Sequence, residues 1–239
     1  MKSTQHRTDV NMAAPVSHVI FDVDGLILDT ENLYTKITEE IVEEYGKTFT
    51  WDVKSKQMGK KDVEAAKILI DELQLPITVD EYLVKARAQQ KILFPTVGLL
   101  PGAEKLIHHL HKHKVPIAVA TGSSKRSIGL KTTRHQDLFS LFLHFVYSSD
   151  DPEVKHGKPA PDCFLIAASR FPDNPNPSQC LVFEDAINGV MAAHDAGMQC
   201  VWVPDPKQPQ DGYREKATLT LDSLLQFKPE QFGLPPYDV

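Results

Sequence analysis

Apolar residues gather in short, nearly unbroken runs that alternate with stretches patterned at helical spacing. The runs are His18-Val19-Ile20-Phe21, Pro116-Ile117-Ala118-Val119-Ala120, His144-Phe145-Val146-Tyr147, Cys180-Leu181-Val182-Phe183 and Cys200-Val201-Trp202-Val203, with Thr218-Leu219-Thr220-Leu221 as a candidate edge. Continuous apolarity over so short a span is the pattern of parallel strands covered on both faces. Between the runs, residues 103–113 set Leu106, Ile107 and Leu110 on one face, and 162–170 follow a Pro-Asp start. Residues 188–196 stop at Gly197, a natural helix terminator. This alternation predicts an α/β fold, a doubly wound parallel sheet with a Rossmann-like core.

One stretch breaks the rhythm. Residues 31–45, 63–73 and 80–93 carry helical patterns with no strand among them. An all-helical segment directly after the first strand predicts a small inserted domain. The expected division is a flexible tail over 1–14, a core from 15–30 and 99–239, and the helical insertion over 31–98.

Composition narrows the function classes. The chain has 239 residues, 41% hydrophobic and 24% charged, an ordinary balance for a folded domain. Its net charge of −6 leaves no footprint for a nucleic-acid polymer. No apolar run approaches the ~20 residues that cross a bilayer, and the first residues lack the apolar core of a secretory signal. Three cysteines, Cys163, Cys180 and Cys200, are odd in number and sit in apolar surroundings, as reduced buried thiols do. The expectation is a cytoplasmic monomer that acts on a small molecule, with no membrane partner.

Ligands of open α/β sheets bind outside the carboxyl ends of the strands. Those ends here are Asp22-Val23-Asp24-Gly25, Thr121-Gly122-Ser123-Ser124, the loop bearing His156-Gly157-Lys158-Pro159, and Glu184-Asp185. Carboxylates meeting in one crevice repel unless a cation sits among them, and an all-oxygen set suits Mg²⁺. Thr121, with small neighbours whose amides are accessible, makes a phosphate cradle. Lys158 adds a positive charge for a phosphate oxygen or a nucleophile. Taken singly, each has a plainer role. Glu184-Asp185 can cap a helix, Thr121-Gly122-Ser123 can be a turn, and Lys158 can be a solvated loop residue. Their joint occurrence, in chain order and each at a strand end, describes phosphoryl transfer through a carboxylate nucleophile.

Phe21-Asp22-Val23-Asp24-Gly25-Leu26-Ile27-Leu28-Asp29-Thr30 resembles the first signature of the haloacid-dehalogenase-like hydrolases, and Thr121, Lys158 and Glu184-Asp185 match the next three in order. The resemblance runs from about Ser17 onward, with the helical insertion where that family places its cap. Lys131-Thr132-Thr133-Arg134-His135, Phe139-Ser140-Leu141-Phe142, Asp151-Pro152-Glu153-Val154 and Phe232-Gly233-Leu234-Pro235 resemble the pseudouridine-5′-phosphatase subgroup, itself close to plant glycerol-phosphate phosphatases. Ile187, where these relatives often have Pro, and Ser123-Ser124-Lys125-Arg126 depart from the pattern.

The resemblance implies an Mg²⁺-dependent phosphomonoester hydrolase working through an aspartyl-phosphate. Asp22 is the implied nucleophile and Asp24 the acid and base. The implied Mg²⁺ ligands are Asp22, Asp185, the Asp24 carbonyl and Glu184. Thr121, Gly122, Ser123 and Lys158 are the implied phosphate holders. Pseudouridine 5′-phosphate is the expected substrate. Glycerol 3-phosphate or a sugar phosphate is the alternative, and phosphomutase and non-catalytic binding protein are more distant ones. Glu31, Tyr34, Lys60 and Lys61 are candidate substrate contacts, the two lysines opening a cap helix. His108, His109, His111 and His113 have chelating spacings but flank an amphipathic helix, which predicts a solvated face.

Overall fold

The computed structural model describes residues 13–57, 60 and 62–238. In chain order the elements are β1 (His18–Phe21), α1 (Glu31–Glu43), α2 (Trp51–Gln57), α3 (Asp62–Leu73), α4 (Val79–Leu93), α5 (Ala103–Lys112), β2 (Ile117–Thr121), α6 (Lys125–Lys131), α7 (Gln136–Phe139), β3 (Phe145–Tyr147), α8 (Asp162–Ser169), β4 (Cys180–Glu184), α9 (Ile187–Asp195), β5 (Gln199–Trp202) and β6 (Leu219–Thr220). The six strands form one sheet in the order β3-β2-β1-β4-β5-β6. Every pairing is parallel, and Val19 stands opposite both Ile117 and Leu181. The expected doubly wound sheet is therefore present, with the chain reversing direction across β1, so the crevice lies at the ends of β1, β2 and β4.

Alternation along the strands splits the core in two. Val19, Phe21, Val119 and Phe183 face Leu106, Ile107 and Leu110 of α5. Ile20, Ala118, Val182 and Trp202 face Phe164 of α8 and Ala192 of α9. Both sets are buried, and each such Leu, Ile or Phe contributes about 1.5–3 kcal/mol through burial. Phe21 and Phe183 stack across the two central strands at 5.0 Å.

A third apolar cluster, with Ile37, Ile41, Leu69, Tyr82, Leu83 and Phe94, fills the helical segment. The outgoing and returning chains run side by side where it joins the sheet. Asp29 donates its amide to Gly98 (3.0 Å) and Leu100 donates to Ile27 (2.8 Å). At the opposite end of the sheet, Ala13 donates to the carbonyl of Gln231 (3.1 Å) and Val16 to that of Phe232 (2.9 Å). No helix among the described residues is long and apolar enough to cross a membrane.

Helices α2, α6 and α7 have no counterpart in the expected elements. Each is short, seven residues in α2 and α6 and four in α7, too brief to display a periodic apolar stripe. Tertiary packing holds them instead. Ser124 accepts the amide of Ser127 as the cap of α6, and that helix buries Ile128 and Lys131.

Candidate active site

Asp22 is fixed by the sheet itself. Its amide continues the β1–β4 ladder to the carbonyl of Phe183 (3.0 Å), and its Oδ2 accepts the amide of Val23 (2.6 Å). The chain then turns at Gly25, whose φ is +76°. A Cβ there would lie 2.3 Å from Oδ2 of Asp185, so only glycine lets the two strand ends approach.

Lys158 reaches the same point from the loop after β3. Its ammonium donates to Asp22 Oδ1 (2.6 Å), Glu184 Oε1 (2.5 Å) and the Ala120 carbonyl (3.1 Å). The second oxygen of Glu184 accepts the amides of Asp185 (3.0 Å) and Ala186 (3.1 Å). Glu184 thus holds the turn that leads into α9 and aims Lys158 at once. Gly189 leaves room for it, since a Cβ there would stand 1.9 Å from the Glu184 carboxyl carbon. Thr121 is buried, and its hydroxyl accepts the amide of Ser123 (3.1 Å), closing the turn that presents Gly122.

Asp24 belongs to a separate network. Its Oδ1 accepts from Lys131 (2.5 Å) and its Oδ2 from the Ser123 hydroxyl (2.7 Å). Lys131 also donates to Tyr34 Oη (2.7 Å) and Ser123 Oγ (2.9 Å). Its side chain is 0% exposed.

Charge differs between the two networks. Burial, reinforced by Glu184 and Asp24 against the pull of Lys158, pushes the Asp22 carboxyl up to about 7. Burial and the neighbouring Glu184 and Asp22 carry Asp185 well above the usual carboxylate range. For Asp24, burial acts upward too, but the Lys131 ammonium outweighs it and holds the group below its ordinary value. Around Lys158, then, three buried carboxylates (Asp22, Glu184 and Asp185) face one ammonium. This all-oxygen, under-neutralised set fits a hard divalent cation such as Mg²⁺.

Residues 16–197 match the family described as haloacid dehalogenase-like hydrolase. The chain belongs to the haloacid dehalogenase-like hydrolases. It is 51% identical over 222 residues to a probable pseudouridine-5′-phosphatase of Drosophila melanogaster, covering 93% of this chain and 96% of the relative. It is 50% identical to (DL)-glycerol-3-phosphatase 2 of Arabidopsis thaliana, covering 93% of each. Among solved structures, CbbY from Rhodobacter sphaeroides in complex with phosphate shares the fold, with a TM-score of 0.73 at 20% identity over 88% of this chain and 96% of that one. In this company the hydrolase is a phosphoric monoester hydrolase.

A cavity runs from Asp22 and Asp24 of the hydrolase up into its helical segment, between Tyr34, Phe49, Tyr82 and Leu83. Of the candidate substrate contacts, Tyr34 joins the site through Lys131. Glu31 lines the cavity and pairs with Lys54 (3.1 Å). Lys60 also lines it and pairs with Glu64 (2.9 Å). Lys61 lies outside the described residues, as do Met58 and Gly59, and α3 begins at Asp62. Lys54, Asp62 and Lys131 line or close the site and went unread in the sequence. Lys131 carried one signal, its place in the Lys131–His135 string.

On the histidine helix His108 and His111 are exposed as expected, but His109 is buried, and its Nε2 bonds the Pro235 carbonyl (2.8 Å). One ligand atom from each of His109, His113 and Asp238 lies within 4.8 Å of the others. Pro235 already occupies His109, however, and Lys112 already holds Asp238 (2.6 Å). The group anchors residues 235–238 to α5.

Proposed function

We propose that this hydrolase removes the phosphate of pseudouridine 5′-phosphate through a phosphorylated Asp22. An Asp22 oxygen attacks phosphorus, and the bond from phosphorus to the 5′ oxygen breaks. Asp24, ionised beside Lys131 at rest, takes up a proton from solvent as the substrate binds and gives it to the departing alkoxide. Asp24 then takes a proton from water as that water attacks phosphorus, releasing inorganic phosphate and restoring Asp22. Thr121, the Gly122 and Ser123 amides and Lys158 hold the transferring oxygens. Mg²⁺ would be held by Asp22, Asp185 and the Asp24 carbonyl, and would neutralise charge on the phosphoryl group. Glu184, expected among the Mg²⁺ ligands, has one oxygen on Lys158 and the other on the amides of Asp185 and Ala186, and acts through Lys158. Residues 31–98 act as a cap that shuts out water and selects the leaving group.

The cavity carries the choice of substrate. It continues past the carboxylates into a space walled by Phe49, Tyr82, Leu83 and Ala86, with Gln57, Asp62 and Gln90 also on its lining. A glycerol leaving group would leave that apolar space unfilled, whereas a flat base can occupy it. Pseudouridine presents one more ring N–H than uridine, and carboxylate and amide oxygens can accept it. The buried free thiols Cys163, Cys180 and Cys200 support a reducing, cytosolic setting.

The test is phosphate release with Mg²⁺ from pseudouridine 5′-phosphate, uridine 5′-phosphate, glycerol 3-phosphate and glucose phosphates. The expected kcat/KM favours pseudouridine 5′-phosphate over uridine 5′-phosphate by about 100-fold. A profile led by glycerol 3-phosphate overturns the substrate and keeps the chemistry.

A further inference from the structure

The mechanism assigns no role to Lys131, yet its side chain is as fully engaged as that of Lys158. An ammonium has three N–H donors. All three are used, on Asp24 Oδ1 (2.5 Å), Tyr34 Oη (2.7 Å) and Ser123 Oγ (2.9 Å). The charge also sits 4.8 Å from the ring centre of Tyr34 and 4.9 Å from that of Phe94. These partners come from three places. Asp24 and Ser123 follow β1 and β2, Tyr34 is on α1 of the helical segment, and Phe94 begins the return from α4.

We propose that Lys131 is a positioning residue for departure of the leaving group, aiming the Asp24 carboxyl and tying that aim, through Tyr34, to the seating of the helical segment. The inference rests on the acid role of Asp24 given above. Lys131 fixes one Asp24 oxygen directly. It orients Ser123, whose hydroxyl fixes the other (2.7 Å). A buried ammonium is tolerated only while its donors are matched. Withdrawal of the helical segment removes Tyr34 from this set and both rings from the cation, and so loosens the group that holds Asp24. The acid is therefore well aimed when the helices are closed over a substrate, and poorly aimed when they are not. Lys158 acts elsewhere, on Asp22.

The consequence depends on the leaving group. An alkoxide needs a proton as it departs, while p-nitrophenolate leaves without one. Lys131→Met, Lys131→Arg and Tyr34→Phe are compared with the unaltered protein on pseudouridine 5′-phosphate (or the best alkyl ester found) and on p-nitrophenyl phosphate. For Lys131→Met, kcat/KM on the alkyl ester, which reports the steps up to departure of the leaving group and not the later attack of water, is expected to fall about 100-fold, within the range of general acid catalysis. The expected fall in kcat/KM on p-nitrophenyl phosphate is below about 5-fold. Lys131→Arg should recover part of the loss. Tyr34→Phe keeps the ring and removes the hydroxyl, so it should show the same selective loss at about 10-fold, and it carries the test should Lys131→Met fail to fold.

Equal losses of kcat/KM on both esters overturn the proposal. Asp24→Asn distinguishes the acid role from the positioning role. If it loses kcat/KM on the alkyl ester selectively and the Lys131 and Tyr34 variants do not, the positioning role alone is wrong. If it spares kcat/KM on the alkyl ester, the acid assignment fails and this role fails with it.

Discussion

Asp22 and Asp24 stand two positions apart at the end of one strand, each bonded to a buried lysine, and their carboxyl groups move in opposite directions. Asp22 rises to about 7 while Asp24 falls below its usual value. Depth does not separate them, since burial acts upward on both. The number of carboxylates per ammonium does. Lys158 is shared by Asp22 and Glu184 with Asp185 close by, whereas among the described residues Lys131 bonds Asp24 as its one carboxylate and fills its other donors with neutral hydroxyls. The first network is short of positive charge and suited to a divalent cation. The second is balanced as it stands and suited to holding a proton carrier still.

The comparison can be broken most decisively at the nucleophile. Asp22→Asn should cut phosphate release by about 10³-fold or more while the protein remains folded, because Lys158 keeps Glu184. Stopped assays with and without EDTA check this, and activity near that of the unaltered protein would remove Asp22 from its role. Asp24→Asn should behave differently in stability. It leaves the Lys131 ammonium without its carboxylate and is expected to cost about 3 kcal/mol or more in urea unfolding, against little or no cost for Asp22→Asn in metal-free buffer.

Acidity gives a subtler contrast. Without metal, folded Asp22 keeps a proton that the unfolded chain releases near pH 4, so its contribution makes the fold less stable as pH climbs from about 4 to about 7. The expected span is on the order of a few kcal/mol. Asp24 has the opposite sign, its stabilisation being present above about pH 4 and lost as pH falls through its lowered value. Over pH 4–8 without Mg²⁺ the unaltered protein should lose stability relative to Asp22→Asn as pH rises, and Mg²⁺ should abolish that loss. Parallel curves in both conditions would mean that Asp22 is not under-neutralised. The smallest effect is expected from Ser123→Ala, which removes its hydrogen bond to Asp24 and the one it accepts from Lys131. It should lower stability by about 2 kcal/mol and leave the Asp22 titration in place.

The two networks were not equally legible in the chain. Asp22, Thr121, Lys158 and Asp185 could be found because a parallel sheet gathers its carboxyl strand ends, and each of these residues follows a recognisable apolar run or lies in the loop after one. Nothing comparable announces Lys131. Its helix, Lys-Arg-Ser-Ile-Gly-Leu-Lys, has a glycine in the middle and no apolar stripe, and a lysine at a helix end ordinarily lies in water. Its burial is decided by Tyr34 and Phe94, which arrive from a segment that the sequence alone could not dock. The four-histidine helix misled for the same reason. His109 faces Pro235, a residue more than a hundred positions away.

The hydrogen-bonded meeting of residues 13–16 with 231–232 lies beneath the sheet, at the far end from Asp22. Segments joined so closely there can be spliced by a short linker and the chain reopened elsewhere, for example in the exposed loop around Gly212. Such a circular permutant would keep all four strand ends in their present order around the phosphoryl site. Reopening between Ile27 and Leu100, where the helical segment is tied to the sheet, would instead free Tyr34 from Lys131.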